Sequence, residues 1–339
     1  MKKLISLVLA LIFVFSMATV AFATDVDDEE PPAETTYTDM STVTLTKEYT
    51  LTNPGTTSPA ETFAFSTLTC TSVTDAAAGV NTNNAPVPTI GSVSYAAGNA
   101  GSENKTKSIT ITLPQYTSVG IYTYTFTETD GGTAGVTYRS TPITLVVTVI
   151  EQNGKVRVAA VHTEEAGAKS GAFNNEYSAG SLAVKKTVTG NLGDRQKEFT
   201  VKVTFTAPAG DTVREAITYV DGNETKTIAA GEGWTGSKEV EITLKHDETV
   251  TFTNIPYGVT YTVVENNYTA DGYDAASYSF DDSNKKIDSA SENVTITNNK
   301  GGTPDTGITL DTLPFVLILA VCAGAVVLFV IKRRNSAEF

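Results

Sequence analysis

Between its two ends the chain consists of short runs in which apolar residues alternate with threonine and other polar residues. Clear examples occupy residues 108–113, 143–149 and 199–205. A period of two places alternate side chains on the same face of a strand, and clusters of Gly, Pro, Asn and Asp separate the runs. No long amphipathic helical pattern interrupts them. The sequence therefore predicts an all-β fold made of immunoglobulin-like β-sandwiches.

The strand runs fall into two blocks, which predict two tandem domains at residues 37–177 and 181–300. The small residues at 178–181 form a connection too short to let the domains move freely. Within the first block, residues 75–104 are rich in Ala, Gly and Asn and are expected to form a long surface loop. Residues 24–36 are acidic and contain proline, which predicts a solvated, disordered leader.

Both ends of the chain carry targeting signals. Residues 1–23 contain two lysines, an apolar core and Ala-Phe-Ala, a pattern typical of a secretory signal peptide cleaved before Thr24. Residues 313–331 carry no charge and are long enough to cross a bilayer as a helix. The basic tail at 332–339 holds that end in the cytoplasm. The sequence thus predicts an extracellular protein whose precursor is held in the membrane by its C-terminal helix.

Composition and motifs exclude several function classes. The chain has 24 basic and 38 acidic residues, a net charge of -14, which argues against nucleic acid as a partner. There are 2 cysteines, and Cys322 lies in the apolar span, so Cys70 has no intramolecular disulfide partner outside the membrane. The sequence contains no HExxH, GxSxG or P-loop motif. We therefore expect a protein that is not an enzyme and that has no cofactor and no metal site.

Each block contains a lysine, a glutamate and an asparagine, in the same order and in phase with the neighbouring apolar residues. These residues are Lys47, Glu128 and Asn175 in the first block, and Lys186, Glu265 and Asn298 in the second. Because alternate residues of a strand share a face, all six side chains are expected to point toward the cores. The alternative is that each lysine is exposed, each glutamate ends a strand and each asparagine belongs to a turn.

Burial gives these residue types a specific chemistry. An unpaired charge in a core is costly, so burial favours the neutral amine of lysine and the neutral acid of glutamate. A neutral amine can attack the carboxamide carbon of asparagine while a neutral glutamate donates a hydrogen bond to the amide oxygen and transfers protons. Ammonia leaves and an isopeptide bond joins the two strands, with proximity supplying much of the rate. Glu128 and Glu265 are the predicted catalytic residues.

A short motif lies just outside the apolar span. Thr303, Pro304, Asp305, Thr306 and Gly307 resemble the Leu-Pro-X-Thr-Gly sorting signal of Gram-positive surface proteins, which sortase cleaves between Thr and Gly. The resemblance implies cleavage between Thr306 and Gly307. Thr303 stands where the signal has leucine, so the class of sortase stays open. The order of motif, apolar span and basic tail strengthens the signal.

Two segments carry a wider resemblance. They are Leu-Ala-Val-Lys-Lys-Thr-Val-Thr-Gly at 182–190 and Thr-Asn-Ile-Pro-Tyr-Gly-Val-Thr-Tyr at 253–261. With them the chain resembles a sortase-assembled major (backbone) pilin of Gram-positive bacteria, of the two-domain type with Lys–Asn isopeptide bonds. The second block is similar to the B-type repeat of collagen adhesins. The resemblance implies these cross-links: Lys47–Asn175 with Glu128, and Lys186–Asn298 with Glu265. A pairing shifted by one residue would instead involve these neighbours: Asn174, Lys185 and Asn299.

In pilins of this kind a lysine near the end of the first domain attacks the acyl-sortase intermediate of another subunit. The matching position is Lys169, between small residues, and Lys155 is another candidate. The resemblance implies a structural shaft subunit of a cell-wall pilus. Its implied partners are sortase and identical subunits joined head to tail, with minor pilins and peptidoglycan as further candidates. The alternative is a non-polymerising wall-anchored adhesin, in which Lys169 would not become joined to Thr306 of a neighbour.

Overall fold

The computed structural model describes residues 39–228, 231–302 and 313–335. The predicted signal peptide, the acidic leader and the sorting motif lie outside these residues. The described part consists of strands, one long α-helix and three single-turn 3₁₀ helices, at Asn99–Gly101, Glu103–Lys105 and Thr269–Asp271. The prediction of an all-β fold is confirmed.

Twelve strands make up the first domain. Their bounds are β1 Thr42–Leu51, β2 Glu61–Phe63, β3 Thr69–Thr74, β4 Thr89–Ile90, β5 Val93–Tyr95, β6 Thr106–Thr112, β7 Gly120–Phe126, β8 Val136–Thr137, β9 Ile143–Gln152, β10 Lys155–Glu165, β11 Ala168–Lys169 and β12 Ala172–Tyr177. One sheet has the order β4-β6-β1-β12-β8, a second has the order β11-β10-β9-β7-β3, and β2 pairs with β5.

These sheets of the first domain share one apolar core. Strand β7 shows how the alternating sequence builds it, because its inward residues Tyr122, Tyr124 and Phe126 are buried while the residues between them are half-buried. Strands β1 and β12, the first and last of the domain, are neighbours and run parallel. The chain therefore enters and leaves this domain on adjacent strands that point in the same direction.

Residues 75–104 depart from the surface loop that their composition predicts. The segment contains β4, β5 and the 3₁₀ helix at Asn99–Gly101, and a second 3₁₀ helix begins at its end. Val93, Tyr95 and Ala100 are buried in the core, and the Tyr95 hydroxyl donates to the backbone oxygen of Lys47 at 2.9 Å. The loop expectation is wrong for this part because composition does not reveal the pairing of β5 with the distant strand β2.

Nine further strands make up the second domain. Their bounds are β13 Ala179–Thr189, β14 Phe199–Thr206, β15 Ile217–Asp221, β16 Glu224–Ile228, β17 Ser237–Leu244, β18 Thr249–Pro256, β19 Thr260–Glu265, β20 Ser277–Phe280 and β21 Ser291–Asn299. The sheets have the orders β16-β15-β18-β13-β21-β20 and β17-β14-β19, around a second apolar core. The first and last strands, β13 and β21, are again parallel neighbours.

The helix α1 spans Leu313–Asn335. Its segment Pro314–Arg333 has a mean hydropathy of 2.9. By length and composition this segment is able to cross a membrane.

Candidate cross-linking sites

Strand register brings Lys47 and Asn175 together. On the parallel strands β1 and β12, Lys47 lies opposite Phe173 and Tyr49 lies opposite Asn175. The two residues are therefore offset by two positions on the same face of the sheet. Lys47 is 0% exposed and Asn175 is 1% exposed, and Glu128, which follows β7, is also buried.

The three side chains of the first site are in direct contact. Lys47 Nζ donates to Glu128 Oε1 and to Asn175 Oδ1. Asn175 Nδ2 donates to Glu128 Oε2 at 2.8 Å and to the Thr137 carbonyl oxygen at 2.9 Å. The backbone N–H of Arg139 donates to the same Glu128 oxygen at 2.6 Å. The acid thus contacts both the attacking amine and the amide nitrogen that would leave.

Burial dominates the electrostatics of Lys47. It lowers the pKa of Lys47 from the usual value of 10.5; the hydrogen bond and charge of Glu128 oppose this shift, and the Arg139 cation adds to it. A lowered pKa increases the fraction of neutral amine, which is the nucleophilic form. The first site therefore favours the reactive state of its lysine.

The second site repeats this arrangement. Lys186 on β13 and Asn298 on β21 have the same two-residue offset on parallel strands. Lys186 Nζ donates to Asn298 Oδ1 at 2.6 Å and lies 3.2 Å from Glu265 Oε1. All three side chains are buried, and burial lowers the pKa of Lys186 below 10.5, against the opposing effect of Glu265.

The acid of the second site has fewer contacts than that of the first. Neither carboxylate oxygen of Glu265 has a hydrogen-bond partner of good geometry among the described residues, so Glu265 lies close to Lys186 without a well-formed hydrogen bond. Burial raises the pKa of Glu265 above its usual value, against the opposing effects of Lys186 and Asn298. The shift favours the neutral acid, which is the form able to donate a proton.

Sequence reasoning missed an aromatic ring at each site. The centroid of the Phe63 ring lies 4.2 Å from Lys47 Nζ, and that of Phe199 lies 4.3 Å from Lys186 Nζ. Both rings come from strands that pack across the core, β2 and β14, and they keep water from the amines. Alternation in β14 predicts that Phe199 points inward, but it does not identify the amine that the ring covers.

The structure also places the remaining candidates. Lys169 is exposed on β11, where it pairs with Glu164 of β10, and its side chain makes no hydrogen bond or ion pair in the described part of the chain. Lys155 is exposed at the hairpin between β9 and β10. The three neighbours that a shifted pairing would use are exposed: Asn174, Lys185 and Asn299. The sorting motif at 303–307 lies outside the described residues.

Two known domain families match this chain, one in each of its two domains. Residues 43–178 match the Spy0128-like isopeptide containing domain, and residues 180–300 match a domain of unknown function (DUF7601). A relative described as a pilin from Streptococcus pyogenes serotype M1 is 26% identical over 257 residues, which cover 70% of this chain and 74% of that protein. The resemblance to pilins is confirmed.

Solved structures show the same architecture. The major pilin from Streptococcus pyogenes has a TM-score of 0.52 at 24% identity and covers 78% of this chain and 100% of its own. The major pilin T3.2 from the same species has a TM-score of 0.54 at 23% identity, with 78% and 99% covered. At these identities the likeness establishes a pilin-like fold.

Proposed function

We propose that the chain is a structural shaft subunit of a covalently polymerised cell-surface pilus. Each domain forms one Lys–Asn isopeptide bond within itself. The observation that carries the proposal is the contact of a buried lysine, acid and asparagine in both domains. The similarity to pilins supports the extracellular, polymeric role. In this proposal the chain is a substrate of sortase and catalyses only its own cross-linking.

The bond-forming step balances without a further reactant. At the first site the Nζ–Cγ bond between Lys47 and Asn175 forms and the Cγ–Nδ2 bond of Asn175 breaks. One proton passes from Nζ to Nδ2 through Glu128, which contacts both nitrogen atoms, and ammonia leaves. Glu265 has the same role between Lys186 and Asn298. Holding the reactants in contact replaces a collision in solution, which gives effective molarities of about 10⁵ M or more.

The positions of the two bonds suit a protein under tension. Each bond joins the first and last strands of its domain, which are parallel neighbours. Force between the ends of a domain then passes along one strand, through the bond and out along the other, without separating the sheet. Such bonds supply durability to an extracellular protein whose cysteines, Cys70 and Cys322, are both free.

The order of the strands supports head-to-tail joining. Strand β13 begins where the first domain ends, and β21 runs parallel to it, so Asn299 lies at the end of the second domain remote from the first. The sorting motif follows a few residues later. Lys169 is exposed and comes just before β12, the strand that leads into the second domain, so it lies at the end of the first domain remote from Asn299. Joining Thr306 of one subunit to Lys169 of the next is therefore favoured over closure within one chain. The C-terminal helix holds the precursor until sortase cleaves after Thr306.

Mass spectrometry of the secreted part, residues 24–306, tests the internal bonds. Each bond releases one ammonia, so the measured mass should lie about 34 Da below the mass of the sequence. Asn175→Ala and Asn298→Ala should each restore about 17 Da, whereas the adjacent, exposed controls Asn174→Ala and Asn299→Ala should keep the full loss. A wild-type mass equal to that of the sequence would refute the cross-links.

Gel analysis of cell-wall extracts tests polymerisation. The wild-type chain should give a ladder of covalent multimers, Lys169→Ala should abolish the ladder, and Lys155→Ala should keep it. A ladder that persists in Lys169→Ala would assign another lysine. Wall-bound monomers without a ladder in the wild type would favour the non-polymerising adhesin.

A further inference from the structure

One loop joins the first cross-linking site to the second domain. Residues 128–139, named here the acid loop, begin with Glu128. The far end of the loop returns to the same site, where the Thr137 carbonyl accepts from Asn175 Nδ2 at 2.9 Å and Arg139 N–H donates to Glu128 Oε2 at 2.6 Å. The acid loop therefore supplies the acid itself and two of the groups that orient the acid and the asparagine.

The middle of the acid loop pairs with the second domain. Thr212 N–H donates to the Gly132 carbonyl at 2.8 Å, and Ala134 N–H donates to the Thr212 carbonyl at 3.0 Å. These bonds form a short parallel bridge between Thr133 and Thr212. Arg214 Nε donates to Thr133 Oγ1 at 2.9 Å. Three hydrogen bonds thus cross from the second domain to the acid loop.

Packing fixes the same part of the acid loop. Ala134 is 1% exposed and belongs to the apolar core of the second domain, although it precedes that domain by many residues. Gly135 has a φ of 80°, a region that glycine enters readily, and a Cβ at this position would lie 2.6 Å from the Ser178 carbonyl oxygen and 3.0 Å from Pro256 Cβ. The path of the loop is therefore determined by both domains.

We infer that contact with the second domain positions the acid loop, and with it Glu128, for bond formation between Lys47 and Asn175, an inference that rests on the proposed isopeptide chemistry. The step itself is unchanged: Nζ–Cγ forms, Cγ–Nδ2 breaks, and Glu128 carries the proton to the departing ammonia. A displacement of about 1 Å in a catalytic group costs about a hundredfold in rate. The first-domain bond therefore forms efficiently only once the second domain has folded against the loop.

Measuring how fast each of the two bonds forms in the same chain tests this inference. The full secreted part is made by cell-free synthesis, and peptides that contain each bond are quantified by mass spectrometry at successive times. Arg214→Ala removes the donor to Thr133 from the side of the second domain, and Arg214→Lys retains a donor. Arg195→Ala changes an exposed arginine of the same domain that makes no contact with the described part of the loop, and is the matched control.

A second pair of variants acts on the backbone of the loop. Gly135→Ala forces the loop away from Ser178, because the added Cβ would clash with a backbone atom. Gly154→Ala is its matched control, since Gly154 has a φ of 73° in the β9–β10 hairpin but a Cβ there would meet nothing within 4 Å. Both variants introduce the same kind of backbone strain in the first domain, and only Gly135→Ala moves the acid loop.

Arg214→Ala and Gly135→Ala should slow the first-domain bond by about tenfold or more, while the second-domain bond in the same chain keeps its rate. Arg214→Lys should recover much of the rate, and both controls should match the wild type. A first-domain bond that forms at the wild-type rate in both variants would overturn the inference. Equal slowing of the two bonds would also overturn it, because it indicates a general folding defect. A wild-type chain without the first bond would instead refute the proposed function.

Discussion

The two cross-linking sites share one strand register but support their acids differently. In both domains the lysine and the asparagine are offset by two positions on parallel first and last strands. After Glu128 the chain pairs at Thr133 with Thr212 of the second domain, and β8 then returns to pair with β12 of the first. After Glu265 the chain stays within its own domain. The proposed chemistry would therefore depend on a support that spans two domains at the first site and on a local support at the second.

Tyrosines hold the segment that follows Glu265. The hydroxyls of Tyr268 and Tyr273 accept hydrogen bonds from backbone N–H groups of the second domain at 2.8 and 3.0 Å. Both rings contact Phe199 edge to face, at centroid distances of 4.9 and 5.3 Å, and Phe199 in turn covers Lys186 Nζ. This small aromatic cluster completes the second site without help from the first domain.

The comparison of the two sites indicates that one feature selects the reacting lysine and asparagine and another positions the acid. Register alone decides which lysine meets which asparagine, and it is the same in both domains. Glu128 receives hydrogen bonds from Lys47, Asn175 and Arg139, whereas Glu265 receives none of good geometry among the described residues and has its pKa raised by burial. Because the N-terminal domain is synthesised first, we expect its bond to wait until the second domain has folded.

The largest expected effect is the loss of stability when either bond is removed. The loss should be nearly the same for the two bonds. Lys47 and Asn175 are 128 residues apart, and Lys186 and Asn298 are 112 residues apart. The loop-closure model developed for disulfides gives about 5 kcal/mol for either length. Asn175→Ala and Asn298→Ala should therefore each lower the free energy of unfolding of their own domain by about 5 kcal/mol.

Chemical denaturation measures both losses in one chain. Fluorescence of Trp234, the only tryptophan, follows the second domain, in whose core it is buried. Near-ultraviolet circular dichroism of the buried tyrosines follows both domains. If the two losses of unfolding free energy differed by more than about 2 kcal/mol, the surroundings of each glutamate would affect stability more than the strand register that the two sites share.

Without its bond, a buried lysine should make stability depend on pH. Burial lowers the pKa of Lys186 from 10.5, so the folded state gives up its proton at a lower pH than the unfolded state. The stability of Asn298→Ala should therefore rise as the pH increases from the folded pKa toward 10.5, and the wild type should lack this rise because the proposed bond turns Lys186 into an amide. Thermal unfolding at neutral and alkaline pH measures the change.

The matched variant for this test also carries Lys186→Met, which fills the site without an amine. The added pH dependence should disappear in the Lys186→Met, Asn298→Ala chain. If the dependence remained, groups other than Lys186 would be its cause. The corresponding pair at the first site, Asn175→Ala with and without Lys47→Met, should behave in the same way because burial also lowers the pKa of Lys47.

The sequence was informative where structure is local and uninformative where it depends on distant contacts. Alternation along β1 and β13 predicted that Lys47 and Lys186 face the cores, and both are 0% exposed. The burial of Tyr95 and its hydrogen bond to Lys47 were missed, since the surrounding composition is typical of a loop. The contact of the acid loop with Thr212 could not be predicted, because it depends on how the two domains pack together.

Removing one hydrogen bond of the segment that follows Glu265 should have the smallest effect of the changes considered. It should leave the rate of formation of the first-domain bond unchanged. Tyr268→Phe removes the hydroxyl that accepts from the Thr200 N–H and keeps the ring against Phe199. The free energy of unfolding of the second domain should fall by about 1 kcal/mol. The second-domain bond should form more slowly in the cell-free time course, and the first-domain bond should keep its rate. Tyr219→Phe is the matched control, since that hydroxyl makes no hydrogen bond with any described residue. A slower first bond with an unchanged second bond would contradict the local character of the support around Glu265.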